Sequence, residues 1–88
     1  MSAPTALRVV TFRDGEMWLA QCLEHDVCVQ ANDLQTLRVR MEIAMKAEDD
    51  FENLPPAPTK FFALWDKRSL FDADGHADGI EYTMALVA

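Results

Sequence analysis

The sequence predicts an α+β fold, in which an antiparallel β-sheet is covered on one face by one main helix. Two observations predict this class. The hydrophobic period changes from that of strands to that of a helix just after Ala31. The segment Leu54–Pro58 then ends the helix, because its prolines lack the amide donor. Strand-like alternation returns in residues 80–87, so the predicted order is β-β-β-α, a short α and β, in a single domain of residues 1–88.

Three β-prone segments precede the main helix, at about residues 6–12, 17–22 and 27–31. Between the first two, Asp14-Gly15 is a strong hairpin signal, because the favoured two-residue turns need residues that accept positive φ. In the second segment Trp18, Ala20 and Cys22 share one face. We expect the main helix on this face, since the small Ala and Cys side chains allow a helix to approach closely.

The main helix is expected over about residues 33–52. Asn32 is a good N-cap residue, and Gln35 three positions later completes a predicted capping box. Apolar residues then recur at helical spacing and form the stripe that would face the sheet: Leu34, Leu37, Met41, Ala44 and Met45. After the prolines, Thr59 is the predicted cap of a short second helix over about residues 60–70.

The short helix is unusually aromatic, with Phe61, Phe62 and Trp65 on one side. Two interpretations have about equal weight: the rings fold back and complete the core, or they dock on a second copy or a partner. Met17 and Leu19 lie on the sheet face away from the main helix and favour docking. These five residues are the predicted contact sites for a partner or a dimer.

The chain is acidic, with eight Lys or Arg against fifteen Asp or Glu in 88 residues and a net charge of −7. Phosphate binding needs a clustered cationic surface, so this charge argues against nucleic acid or an anionic membrane and favours a basic protein as partner. No apolar run approaches the ~18–20 residues that span a bilayer. The N-terminus lacks the apolar region of a signal peptide, so we expect a cytoplasmic protein whose Cys22 and Cys28 are reduced.

Two groups of residues contain the residue types found in metal sites, but their positions in the sequence do not match the ligand spacing of such sites. Cys22, His25 and Cys28 offer thiolate and imidazole ligands, but a structural zinc site needs a fourth ligand, so packing cysteines and an exposed turn histidine are favoured. Residues 72–79 are rich in Asp and Gly but miss the glycine and glutamate positions of a calcium loop, so a solvated turn is favoured. No nucleophile motif or phosphate loop occurs. We therefore expect no metal, no cofactor and no enzymatic activity.

The segment Leu7–Phe51 resembles the N-terminal domain of HicB-family antitoxins, in which a strand ending in W-x-A-x-C is followed by a turn, a strand and a helix with an Asp- or Asn-led cap. The residues that carry the resemblance are Trp18, Ala20, Cys22 and Asn32. The resemblance implies a partial RNase H-like or double-stranded-RNA-binding-like architecture. It also implies a domain that neutralises a small basic HicA-like RNase toxin by blocking its RNA-cleaving surface.

The sequence departs from the family pattern in two ways. Family members usually carry a C-terminal DNA-binding region, whereas the sequence given ends at Ala88, so no direct nucleic-acid binding is expected. The usual Pro and Gly after the second strand are replaced by Leu23 and Glu24-His25-Asp26. The expected protein is an antitoxin-type binding domain that forms a homodimer. The alternative is a solitary oligomerising module, without a toxin partner, in which the same aromatic residues build the dimer.

Overall fold

Five strands and two α-helices make up the described part of the chain, which comprises residues 7–47, 51–77 and 80–87 of a computed structural model. Within it, the backbone alone is described for residues 52, 68–77 and 80. The elements in chain order are β1 (Leu7–Asp14), β2 (Met17–Cys22), β3 (Cys28–Ala31), α1 (Leu34–Ala47), a 3₁₀ turn (Phe51–Asn53), α2 (Thr59–Asp66), β4 (Arg68–Ala77) and β5 (Ile80–Val87).

The strands form one sheet in the order β3-β2-β1-β5-β4. The α+β prediction is confirmed, but the prediction of a purely antiparallel sheet is wrong, because β5 runs parallel to β1. The other neighbouring pairs are antiparallel. Alternation of apolar and polar residues is the same for both directions, so the sequence pattern did not reveal the parallel pair. Such a pair needs a long crossover, which the intervening helices and β4 provide.

The segment after α2 differs most from the prediction. Helix α2 ends at Asp66 and not near residue 70, and most of the predicted loop at residues 72–79 belongs to strand β4. β4 pairs antiparallel with β5, with an irregular register between Arg68 and Asp72. Asp and Gly are poor strand formers, but pairing with a neighbouring strand overrides this propensity. β4 is also an edge strand, where charged residues are frequent because they oppose further strand pairing.

Helix α1 begins with a different cap from the predicted one. The carboxylate of Asp33 accepts hydrogen bonds from the backbone N–H of Thr36 at 2.7 Å and from the Thr36 hydroxyl at 2.9 Å. Asp33 is therefore the N-cap residue, and the predicted capping box of Asn32 with Gln35 is wrong. Asn32 and Asp33 both have side chains suited to an N-cap. The difference of one residue between the predicted and the observed cap lies within the usual uncertainty of helix ends.

The face that we expected beneath α1 is confirmed. Ala20 and Cys22 are fully buried there and Trp18 packs at the margin. The buried cluster on this face consists of Val9, Ala20, Cys22, Ala31, Leu37, Met41, Met45, Phe51, Tyr82 and Met84. Helix α1 covers Leu34–Ala47, and residues 48–50 of the predicted helix lie outside the described residues. At Phe51–Asn53, where the prediction continued the helix to residue 52, the chain forms a 3₁₀ turn that adds Phe51 to the cluster.

The proline segment carries the chain from one face of the sheet to the other. It passes the corner between β2 and β3 and is bonded to it through the backbone. The N–H of Asp26 donates to the carbonyl of Pro55 at 2.7 Å, and the N–H of Ala57 donates to the carbonyl of Leu23 at 2.9 Å. These two hydrogen bonds hold the proline segment against the corner at Pro55 and at Ala57. Helix α2 then follows on the face opposite α1.

On this opposite face a second, smaller cluster is buried, made of Val10, Leu23 and Ala57. The α2 side chains Phe61, Phe62 and Trp65 pack against it. Of the two interpretations of these rings, the structure therefore favours packing within the chain. The sheet is therefore covered by helices on both faces: α1 lies on one face, as predicted, and α2 covers part of the other.

Candidate functional site

The five predicted contact residues lie on the same side of the sheet. Leu19 pairs with Phe12 of β1, and Phe12 packs with α2. Side chains directly opposite each other share a face, so Leu19 and Met17, two positions earlier, continue the surface that α2 forms. We call this set the aromatic surface; it comprises Phe12, Met17, Leu19, Phe61, Phe62 and Trp65.

The aromatic surface is only half-covered. Helix α2 makes its main contacts with β1 and β5, and none of its residues is fully buried. The rings of Phe12 and Phe61 stack with centroids 6.0 Å apart and 30° between their planes. Met17 and Leu19 are half-buried and belong to neither buried cluster. The surface therefore keeps apolar area in contact with solvent, which is typical of interaction surfaces.

An ion pair fixes one end of the aromatic surface. The carboxylate of Glu24 lies 2.6 Å from Nε of Arg8 and also accepts the Arg8 backbone N–H at 2.8 Å. The guanidinium of Arg8 then lies 5.3 Å from the ring centroid of Phe62 and 6.0 Å from that of Trp65. Cation–π contacts of this length hold the two rings against β1. The pair could not be predicted from the sequence, because no local spacing connects residues so far apart in the chain.

Side chains also hold the corner between β2 and β3. The buried amide of Gln21 donates to the carboxylate of Asp26 at 2.9 Å. The ring of His25 lies against Phe51, with centroids 4.4 Å apart, and its Nδ1 is 3.4 Å from the carbonyl of Leu54. The polar run at this corner thus has a structural role, since it ties the corner to the segment that leads to α2.

The three candidate zinc ligands lie in different surroundings. Cys22 is buried beneath α1 as expected, but the expectation of a packing Cys28 is wrong, because Cys28 is exposed on β3. His25 is half-buried and not exposed, because its ring lies tilted against Phe51. Burial raises the pKa of the Cys22 thiol, and burial followed by the charge of Asp26 raises the pKa of Cys28. A raised pKa favours the protonated thiol, so neither cysteine is activated as a nucleophile. Within the described residues no group of three His, Cys, Asp or Glu could hold a metal ion. The side chains of the Asp-rich segment lie outside those described.

A polar cluster occupies the α1 side of the sheet. Nε of Arg38 donates to the hydroxyl of Tyr82 at 3.2 Å and lies 3.6 Å from the carboxylate of Glu42. The Tyr82 hydroxyl in turn donates a hydrogen bond to that carboxylate. Burial, and then the hydrogen bond to Glu42, raises the pKa of Tyr82. A tyrosine held protonated in this way cannot act as a base at neutral pH. The cluster instead joins α1 to β5.

The chain was compared with protein-family models, with curated proteins and with solved structures, and nothing matches it. None of the helices in the described residues has the length and apolar character needed to cross a membrane. The geometry of the chain itself therefore carries the functional argument, and the aromatic surface is its strongest candidate site.

Proposed function

We propose that this protein is a non-enzymatic, cytoplasmic binding domain of the HicB-like antitoxin type, which neutralises a small basic HicA-like RNase toxin. The observation that carries the proposal is the half-open aromatic surface in a chain of net charge −7. An apolar contact area on an acidic domain is complementary to a cationic RNA-binding protein. Such a domain would compete with RNA for the same cationic face.

Acidic side chains lie at the margin of the aromatic surface and support this choice of partner. Asp14 pairs with Met17 at the end of the first hairpin, Glu16 stands in the turn, and Asp66 ends α2; all three are exposed. An apolar centre with a charged rim is the usual composition of a protein–protein interface. The rim charges would mainly accelerate the encounter with a basic toxin, whereas the apolar centre would supply the affinity.

The finer architecture is also part of the proposal. The order β-β-β-α over residues 7–47, with α1 on the face of Trp18, Ala20 and Cys22, agrees with a HicB-like N-terminal domain of partial RNase H-like or double-stranded-RNA-binding-like type. Helix α2 and strand β4 extend beyond the segment that carries the resemblance. The aromatic surface depends on α2, so the proposed contact area is a feature of this chain.

The test measures binding to the small basic protein encoded by the neighbouring gene. The two purified proteins should form a complex in size-exclusion chromatography, and the complex should leave RNA uncut. The variant M17A/L19A should weaken binding about 10-fold or more, because it removes apolar area from the centre of the surface. Its matched control is V39A/I43A, which removes similar side chains, 51% and 58% exposed, from α1 and should leave binding unchanged. Absence of a complex, or equal losses in both variants, would contradict the proposal.

The alternative is a solitary oligomerising module, and one observation favours it. Met17 and Leu19 extend the apolar surface beyond α2, so a second copy could cover them. Light scattering would then give the mass of a dimer for the wild type and a lower mass for M17A/L19A, while no basic neighbour binds. A dimer that persists in M17A/L19A would exclude the aromatic surface as the dimer interface. An RNA-binding role is disfavoured by the net charge.

A further inference from the structure

A groove lies at the end of the sheet where β1 and β5 stop pairing. Its volume is about 550 Å³, and it is lined by Phe12, Arg13, Trp18, Leu64, Leu86 and Val87. The last parallel pair of the two strands is Thr11 with Leu86. Within the described residues the two strands make no further pair beyond it, and the groove lies at this point. Sites for small molecules have volumes of roughly 300–1,000 Å³, so the groove is large enough for one.

Among the described side chains, the lining combines apolar walls with the cation of Arg13. The guanidinium of Arg13 lies 5.5 Å from the ring centroid of Trp18, and its Nε donates to the carbonyl of Gly15 at 3.1 Å. These two contacts hold the guanidinium in place. An arginine has five N–H donors, and in the described part of the chain the terminal nitrogens of Arg13 make no other hydrogen bond. They are available to an anionic ligand.

The neighbouring carboxylate of Asp14 does not neutralise this position. Side chains alternate along a strand, so Arg13 lies with its cross-strand partner Trp18 on the α1 side, and Asp14 lies with Met17 on the α2 side. The groove thus presents a fixed positive group beside apolar walls in a chain that is otherwise acidic.

We propose that this groove binds a small ligand with an apolar chain and a terminal carboxylate, of the class of medium-chain alkanoates. The planar guanidinium can donate two parallel hydrogen bonds to a carboxylate, which is the strong and orienting contact. The alkyl chain would lie against Phe12, Leu64 and Leu86. The groove adjoins the aromatic surface and shares Phe12 with it. The proposal does not rest on the antitoxin-type function, because the selective contact is Arg13, which lies outside the aromatic surface.

The net charge of the molecule allows specific binding at Arg13 to be distinguished from unspecific binding of amphiphiles. A chain of net charge −7 attracts cationic amphiphiles and repels anionic ones through its long-range field. At physiological salt this field is screened over about 8 Å, so a direct contact with Arg13 is the stronger effect for a bound ligand. Preference for the anion is therefore expected only if Arg13 selects it.

The experiment titrates the full chain carrying W65F with sodium decanoate below its micelle concentration. In this variant Trp18 is the one remaining tryptophan and lies in the groove, so its fluorescence reports occupancy. We expect saturable binding, a weaker response to decyltrimethylammonium, and about 10-fold or greater loss of decanoate affinity in R13A. The matched control K46A changes the net charge equally at an exposed residue of α1 and should keep the affinity.

Three results would overturn the proposal. They are the absence of a saturable Trp18 response to decanoate, equal or tighter binding of decyltrimethylammonium, and equal losses in R13A and K46A. Circular dichroism of R13A establishes that the variant is folded. If R13A does not fold, R13K replaces it, and it should retain part of the affinity because its ammonium cannot form the paired hydrogen bonds.

Discussion

At the scale of single residues, Thr11 is an unusual member of the core. It is 2% exposed, and its hydroxyl has no hydrogen-bond partner among the residues that the structure describes. A buried hydroxyl without a partner costs about 1–3 kcal/mol relative to a satisfied one. T11V keeps the shape of the side chain and removes the hydroxyl, so we expect the free energy of unfolding to rise by about 1 kcal/mol in urea titrations.

The control for T11V is the same change at Thr36, whose hydroxyl donates to Asp33 at 2.9 Å. T36V removes a hydrogen bond at the start of α1, so it should lower the free energy of unfolding. Opposite signs for the two substitutions would identify the missing partner at Thr11 as the cause. A loss in T11V as large as that in T36V would mean that the Thr11 hydroxyl has a partner in solution, such as a bound water.

Tyr82 gives a prediction about pH, because it is the chain's single tyrosine. Its pKa is raised by burial and by donation to Glu42, so the folded state favours the protonated phenol. The stabilisation is complete below the unfolded pKa of about 10 and is lost as the pH rises through the folded value. Y82F should lower the free energy of unfolding by about 1–2 kcal/mol at pH 7, and this difference should shrink at alkaline pH.

The measurement uses tyrosinate absorbance, which reports on Tyr82 alone in this chain. We expect a titration midpoint above 10 in the folded protein and a normal midpoint in urea. Unfolding titrations of the wild type and Y82F at several alkaline pH values then follow the difference in stability. A folded midpoint at or below 10 would contradict the hydrogen-bonded arrangement of Tyr82 with Glu42.

At the scale of elements, the N-cap of α1 can be tested directly, because the structure has Asp33 in this role and the sequence predicted Asn32. Hydrogen bonds from Thr36 lower the pKa of the Asp33 carboxyl, so its stabilising contribution is present above the unfolded pKa and is lost as the pH falls through the folded value. D33A should lower the melting temperature at pH 7, whereas N32A should change it little. The difference between D33A and the wild type should disappear in acid. A larger effect of N32A would restore the predicted cap.

The elements that the sequence predicted well are those with local causes. The hairpin between β1 and β2 forms as expected, but its two turn residues are Gly15 and Glu16, because Asp14 still pairs with Met17. Gly15 has φ of +64°, which few other residues adopt readily. Of the predicted apolar stripe of α1, Leu37, Met41 and Met45 are buried against the sheet as expected, whereas Leu34 is exposed because it lies in the first turn of the helix. Strand β4 was missed because its Asp and Gly residues have turn propensity, and its strand state comes from pairing with β5. The parallel direction of β5 has no local signal either.

In the candidate site, too, features with a local cause could be predicted and features that depend on the fold could not. Residue type and the alternation along β2 singled out Phe61, Phe62, Trp65, Met17 and Leu19 as candidate contact residues. In the structure all five lie on the same side of the sheet. What the sequence did not reveal are the contacts between distant segments. The ion pair of Arg8 with Glu24 and the groove beside Arg13 both arise from the way the strands and α2 meet. Such contacts depend on topology, which includes the unpredicted parallel pair.

At the scale of the whole molecule, the sheet order predicts how stability is distributed. β1 lies in the centre between β2 and β5, and its residues Val9, Val10 and Thr11 are almost completely buried, whereas β3 and β4 form the edges. Helix α2 has eight residues, no fully buried side chain and no side-chain cap, so it is the element held least firmly. The aromatic surface therefore lies on a stable strand and a weakly held helix.

Hydrogen exchange followed residue by residue tests this distribution. Amides of Val9–Thr11 should exchange slowest, at the rate of global unfolding, and those of β3 and α2 should exchange faster by opening locally. Local opening of α2 would expose Val10 and Leu23, so a partner that covers the aromatic surface should slow exchange in α2 far more than in β1. Equal protection of α2 and β1 in the free protein would contradict this order of stability. It would also mean that α2 is an integral part of the core and that a partner meets a rigid surface.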